Sequence, residues 1–179
     1  AVFQSVTTRT AGFCTVAQQN LTNASAILSL LLMFIGGSPV GTAGGIKTVT
    51  AAVVFVTAIS VVRGKSDVAL FHRNLSESSI RKATAVMCCS FLTAFASTVL
   101  LAAMTDASAI DIIYETVSAT ATVGLTRNLT AQLTDVGKII ICFTMYFGRV
   151  GPISLAVALS GNGKSDNAII NPTEEISVG

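Results

Sequence analysis

Charge is scarce in this sequence. Only 11% of its 179 residues are Asp, Glu, Lys or Arg, against about 25% in an ordinary soluble domain, and the mean hydropathy is +0.72. Composition therefore places the chain in a bilayer, with lipid as its surroundings. The net charge of +2 offers no basic surface for nucleic acid, and none is expected as a partner. The four cysteines, Cys14, Cys88, Cys89 and Cys142, show no C-x-x-C spacing, and His72 is the only histidine. They read as small apolar side chains in helices, and His72 as an ordinary loop residue. No nucleophile, base and metal-ligand group cluster, so an enzyme is not expected, and neither is a covalently bound cofactor. Residues 1 to 13 lack a basic stretch followed by an apolar run and a cleavage site, the pattern of a leader.

What the sequence does contain is a long repeat. Thr10-Ala11-Gly12-Phe13 and Thr122-Val123-Gly124-Leu125 stand 112 residues apart. Their lead-ins, Phe3-Gln4-Ser5-Val6 and Tyr114-Glu115-Thr116-Val117, are 111 apart, implying a one-residue indel ahead of the second copy. Twenty-one residues after each Gly, a Met-aromatic pair opens Met33-Phe34-Ile35-Gly36 and Met145-Tyr146-Phe147-Gly148. This period exceeds that of solenoid repeats and indicates a duplicated larger unit. The chain starts inside the first unit, so it is expected to be a fragment or one half of a longer protein.

Ile27 to Val62 is mostly apolar, with Lys47 its single charge. As one helix its 36 residues would extend about 54 Å, well beyond a hydrocarbon core of about 30 Å. Its middle is Gly36-Gly37-Ser38-Pro39-Val40-Gly41-Thr42-Ala43-Gly44-Gly45. Five glycines and a proline there predict a broken helix, and open backbone at membrane depth is tolerated where protein covers it or it lines a watery path. Gly41 to Thr48 approaches a phosphate-binding loop, but Ile46 separates the last Gly from Lys47 and no strand precedes it.

Arg63, Lys65, Arg73, Arg81 and Lys82 against Asp67 and Glu77 mark residues 63–82 as a cytoplasmic loop. Ala83 to Met104 carries no charge and predicts an outward-running span. It emerges on a side holding Asp106, Asp111, Glu115 and Asp135 against Arg127 and Lys138, a balance that favours cations at an outer mouth. Ala109 to Ala119 reads as a half-helix dipping in from outside, and Ile139 to Ser160 as the next inward span. Four glycosylation sequons, at Asn20, Asn23, Asn74 and Asn128, are chance matches, because this topology splits them between the two sides.

The fold class expected is an all-α membrane protein built from repeated units of outer helix, re-entrant loop and inner helix. Residues 1–62 form one unit lacking its outer helix, 83–161 the next, and 162–179 a cytoplasmic tail. Backbone carbonyls aimed at a narrow axis can replace an ion's hydration shell without burying a full negative charge. Glycine reaches the dihedrals that align them.

Ser5-Val6-Thr7-Thr8-Arg9-Thr10-Ala11-Gly12-Phe13, the stretch from Gly36 to Lys47, Ser118-Ala119-Thr120-Ala121-Thr122-Val123-Gly124-Leu125 and Gly148-Arg149-Val150-Gly151 together resemble the third and fourth repeats of the Trk/Ktr/HKT potassium transporters. The likeness is greatest to the bacterial Ktr membrane subunit. It implies a four-repeat pore of the K+ channel type, in which Thr10, Ala11, Gly12 and Phe13 supply one quarter of a selectivity filter. Thr122, Val123, Gly124 and Leu125 supply another, with K+ held by backbone carbonyls. It further implies an intramembrane gate formed by Gly36, Gly37, Ser38, Pro39, Gly41, Thr42, Gly44, Gly45 and Lys47, with Arg149 restricting the path. The implied partners are an N-terminal half, a second copy in a homodimer and a cytoplasmic nucleotide-binding ring. Neither filter stretch has a second Gly after the first, which predicts looser discrimination of K+ from Na+; channel-like and Na+-coupled transport both stay open. Arg9 reads as an anchor for the pore loop. The competing readings are a secondary transporter with broken helices and a structural membrane subunit or membrane enzyme whose glycines serve close helix packing.

Overall fold

The computed structural model describes residues 2–38, 43–64, 68–70 and 73–151. Pro39, Gly41 and Thr42 of the glycine-rich stretch, Lys65, Asp67, His72 and the segment from Pro152 through the tail lie outside the described residues. The chain is mostly helical. In order come Val2–Thr7 (α1), Asn23–Phe34 (α2), Thr48–Val62 (α3), Glu77–Ala102 (α4), Ala109–Thr120 (α5) and Asp135–Val150 (α6). Between α3 and α4, Ala69–Leu70 (β1) and Arg73–Asn74 (β2) pair antiparallel, Ala69 opposite Asn74 and Leu70 opposite Arg73.

Among the described residues, α4 is the one helix long and apolar enough to cross a membrane by length and composition. Its 26 residues span about 39 Å. It begins six residues before the charge-free run, because Glu77 in the first turn and its ion pair with Arg81 (2.7 Å) suit a helix N-terminus. One stripe of α4, Ala83, Ser90, Ala94, Ser97 and Leu101, is buried. The small residues let neighbouring backbones come close, and hydroxyls then meet across the contact. Ser97 Oγ lies 2.7 Å from Thr144 Oγ1 on α6, and Thr98 Oγ1 2.7 Å from Thr116 Oγ1 on α5. Another face presents Phe91, Leu92, Phe95, Val99 and Leu100, all exposed, an apolar surface suited to lipid.

The duplication seen in the sequence recurs in the backbone. Thr22 caps α2 by accepting from Ser25 N (3.3 Å), and Thr134 caps α6 by accepting from Gly137 N (3.3 Å). These caps stand 112 residues apart, as do short 3-10 turns at Gln18–Asn20 and Thr130–Gln132. The caps also explain why both helices start upstream of their apolar runs: the threonine satisfies orphan amides a full turn earlier. Leu101, Ile112, Ala119, Leu129, Leu133 and Ile141 form one core joining α4, α5 and α6. A second core, Met33, Tyr114, Ala121, Val123 and Leu125, ties α2 of the first unit to α5 and the second Thr-x-Gly stretch.

Between α2 and α3 the chain leaves the helix and returns parallel to itself. Ile35 and Ile46 form a parallel bridge, with Gly36 N donating to Ile46 O (2.8 Å) and Ile46 N to Phe34 O (3.3 Å). Thr48 N adds a bond to Gly37 O at 3.2 Å. A parallel bridge so close in sequence means the chain enters and leaves the glycine-rich excursion in the same direction.

Candidate ion-coordinating site

Each Thr-x-Gly stretch hangs from the C-terminal end of a short helix. After α1, the amides of Ala11 and Gly12 both donate to Thr7 O, at 3.1 and 3.0 Å. After α5, Thr122 N donates to Ala119 O (3.1 Å) and Val123 N to Ser118 O (2.9 Å). Thr7, itself buried, uses its Oγ1 to donate to Phe13 O at 2.6 Å, tying the far end of the first stretch to the helix.

The two stretches share an unusual backbone. Thr10 (φ 69°) and Gly12 (φ 73°) are left-handed, and so are their counterparts Thr122 (φ 54°) and Gly124 (φ 85°). Ala11 and Val123 between them are not. A β-branched residue at positive φ is a genuine outlier, worth roughly 1–3 kcal/mol of strain, and such strain concentrates at functional sites. Finding it at two positions 112 residues apart marks a conformation that both copies need.

The stretches also lie against each other. Thr10 Oγ1 donates to Ala121 O at 3.5 Å, and a Cβ placed on Gly12 would overlap the Val123 carbonyl oxygen. Their last residues differ: Phe13 is exposed, whereas Leu125 is buried in the second core. The glycine-rich segment reaches the same place. A Cβ on Gly44 would collide with the Thr122 side chain, and Gly45 (φ 70°) packs on Ala121. Thr122 Oγ1 is buried there and has no hydrogen-bond partner among the described residues.

Of the residues assigned to a gate, Gly36 and Gly44 are buried, Gly37, Gly45 and Lys47 half-buried, and Ser38 exposed. Lys47 Nζ donates to Ala43 O, bracing the returning arm. Arg9 Nη1 donates to Gly36 O at 3.2 Å, so the residue next to Thr10 anchors the start of the glycine-rich segment. Arg149 sits in the last turn of α6, exposed, directly after Gly148. Gly148 lies so close to the end of α5 that a Cβ there would overlap the Thr120 carbonyl oxygen. Gly148→Ala is therefore expected to destabilise the protein by about 1–3 kcal/mol, the usual range for overpacking. A lowered melting temperature of the purified full-length protein would register it, and an unchanged one would refute the contact.

Some partners were not evident from sequence. Glu115, assigned from the sequence to the outer side, is buried: Thr126 Oγ1 donates to its Oε2 at 2.7 Å, and Thr130 Oγ1 donates to its Oε1. Its counterpart in the repeat, Gln4, bonds Gln18 (2.7 Å), the counterpart of Thr130. Helix and post-glycine loop are thus cross-linked at equivalent places in both units. The aligned lead-ins already paired Gln4 with Glu115, and that was the available signal. Asp111 accepts from Arg127 Nε at 2.6 Å, in an ion pair whose arginine side chain is only 10% exposed.

The TrkH cation transport protein family matches residues 1–169. The chain is 37% identical over 177 residues to Ktr system potassium uptake protein B of Bacillus subtilis, covering 99% of this chain and 39% of that protein. It is 38% identical over 160 residues to Ktr system potassium uptake protein B of Vibrio alginolyticus, covering 89% and 35%. To potassium/sodium uptake protein NtpJ of Enterococcus hirae it is 33% identical over 184 residues, covering 99% and 40%. The chain thus spans about two fifths of the length of these relatives. A family match over nearly every residue, with relatives that transport rather than catalyse, settles the class: this chain belongs to the TrkH family of cation transport proteins.

Proposed function

We propose that this chain supplies two quarters of a K+ translocation path through the cell membrane, within a multi-pass protein whose N-terminal half supplies the other two. The observation that carries the reading is the left-handed Thr and Gly shared by two stretches that touch each other. Positive φ on either side of a residue at negative φ can turn successive carbonyls to one side of the strand, where they can stand in for water around an ion. The carbonyls of Thr10, Ala11, Gly12 and Phe13 and of Thr122, Val123, Gly124 and Leu125 then line the path. The Thr122 hydroxyl, buried and without a hydrogen-bond partner among the described residues, suits an added oxygen ligand at the inner end. Relatives named for potassium and for potassium/sodium uptake keep both ions as candidate cargo.

Gly36 to Lys47 forms the gate below, since Gly44 and Gly45 press on Thr122 and Ala121. Pro39, Gly41 and Thr42 belong to the same proposed gate. Residues 63–82 and the tail face the cytoplasm, where a nucleotide-binding ring acts on a homodimer of the transporter; relatives named as proteins of a Ktr system support assembly from more than one kind of subunit. Arg149, next to the close contact at Gly148, narrows the path, because a charge at membrane depth repels a passing cation. Arg149→Ala is expected to raise K+ flux about twofold or more in a well-expressed variant, read as initial Rb+ uptake; equal or lower flux would remove Arg149 from the path.

The reading as a whole is tested by K+ or Rb+ uptake through the full-length protein in cells lacking their own K+ uptake. Gly12→Ser and Gly124→Ser are each expected to depress uptake or weaken K+ over Na+ preference. Uptake indifferent to both changes would sink the assignment.

A further inference from the structure

We infer that Gln18, Tyr114 and Arg127 form a brace between the two repeats that sets the spacing of their Thr-x-Gly stretches, and so the discrimination between K+ and Na+. The inference rests on the assignment of those stretches as filter and names positioning residues for them.

Gln18 is 2% exposed, and its whole amide is engaged. Its Nε2 donates to Val16 O at 2.8 Å and reaches Cys14 Sγ at 3.4 Å, holding the segment that leaves Phe13. Its Oε1 accepts from Gln4 Nε2 at 2.7 Å, within the same repeat, and from Tyr114 Oη at 2.9 Å, from the next one. Tyr114 is fully buried on α5, the helix that carries the second stretch. Arg127, just past that stretch, donates from Nη1 to Gln18 O at 2.9 Å and lies 5.9 Å from the Tyr114 ring centroid. Asp111 on α5 fixes the guanidinium from its other side at 2.6 Å.

The link from helix to post-glycine loop is common to both units, Gln4 to Gln18 and Glu115 to Thr130. The Tyr114 and Arg127 bonds to Gln18 are different in kind, because they cross from one repeat to the other. Within a quarter, covalent chain fixes the carbonyl positions. Between quarters, contacts such as Gly12 against the Val123 carbonyl and the Thr10–Ala121 bond do so in front, and the Tyr114 and Arg127 bonds to Gln18 add buried polar ties behind both stretches. A ring of carbonyls selects by its size and by the number of ligands it can hold in place. Loosening the tie between quarters therefore loosens selection before it abolishes passage.

Tyr114→Phe removes one hydroxyl and leaves the ring in its core. In full-length protein expressed in cells lacking K+ uptake, we expect Na+ to compete with Rb+ uptake at concentrations at least about threefold lower. Maximal Rb+ uptake should stay within about twofold of wild type. If Tyr114→Phe does not reach the membrane, Gln18→Leu carries the same test: close in size, it has no oxygen to accept from the Tyr114 hydroxyl, and the same threefold shift is expected. An unchanged Na+ competition, or a fall in maximal uptake with competition unchanged, would overturn the brace. Failure of the underlying filter assignment shows separately, as indifference to Gly12→Ser and Gly124→Ser.

Discussion

Gly12→Ala is expected to reduce Rb+ uptake by the full-length transporter at least about tenfold, and to do so more severely than Gly124→Ala. Both glycines sit at positive φ, 73° and 85°, so any side chain costs about 1–3 kcal/mol in backbone strain at either. Only Gly12 adds a steric conflict among the described residues, since its Cβ would overlap the Val123 carbonyl oxygen, whereas nothing approaches a Cβ on Gly124. Backbone cannot rotate aside as a flexible side chain can, so the conflict adds a further ~1–3 kcal/mol. With about 1.4 kcal/mol per factor of ten, the sum comfortably exceeds one decade. Initial uptake rates normalised to membrane protein would decide it. Equal rates for the two variants would mean that Gly12 and Val123 do not meet.

Arg127→Leu is expected to lower the apparent melting temperature of the detergent-purified protein by about 4–8 °C, whatever its transport activity. The guanidinium has three jobs at once: the ion pair with Asp111, the bond to Gln18 O and contact with the Tyr114 ring. Breaking a buried pair typically costs 3–5 kcal/mol; Asp111 is 29% exposed, so water recovers part of that and about 2 kcal/mol remains. Arg127→Lys should fall between, because one ammonium cannot reach Asp111 and Gln18 O together. The control is Arg81→Ala. Its ion pair with Glu77 has both side chains more than three quarters exposed, and such pairs contribute little. A melting temperature as insensitive to Arg127→Leu as to Arg81→Ala would refute the burial of the Asp111 pair.

Much of the architecture was legible because the duplication wrote it twice. The Thr-x-Gly stretches, the Met-aromatic-Gly landmarks and the glycine-rich break between α2 and α3 all follow from spacing and composition. Helix starts were less legible. Apolar runs mark where a helix is buried in lipid, not where its amides are first satisfied, and Thr22 and Thr134 begin their helices four residues ahead of the runs. Least legible were the contacts between units. Tyr114 and Gln18 are 96 residues apart and Arg127 and Gln18 109 apart, with no periodicity to link them. The burial of Glu115 was illegible for a related reason: a carboxylate looks like surface until the hydroxyls of Thr126 and Thr130 are seen around it.

The parallel bridge between Ile35 and Ile46 has a bearing on how this protein can change over time. It closes the glycine-rich excursion at its base, so the bridge, together with packing on α4, positions α3. Changes of length inside the excursion are thereby separated from the two flanking helices, while Gly36 and Gly44 stay constrained by their close contacts. On the proposed assignment of that segment as the gate, permeation speed and its regulation can diverge among descendants of this sequence while the surrounding scaffold is inherited.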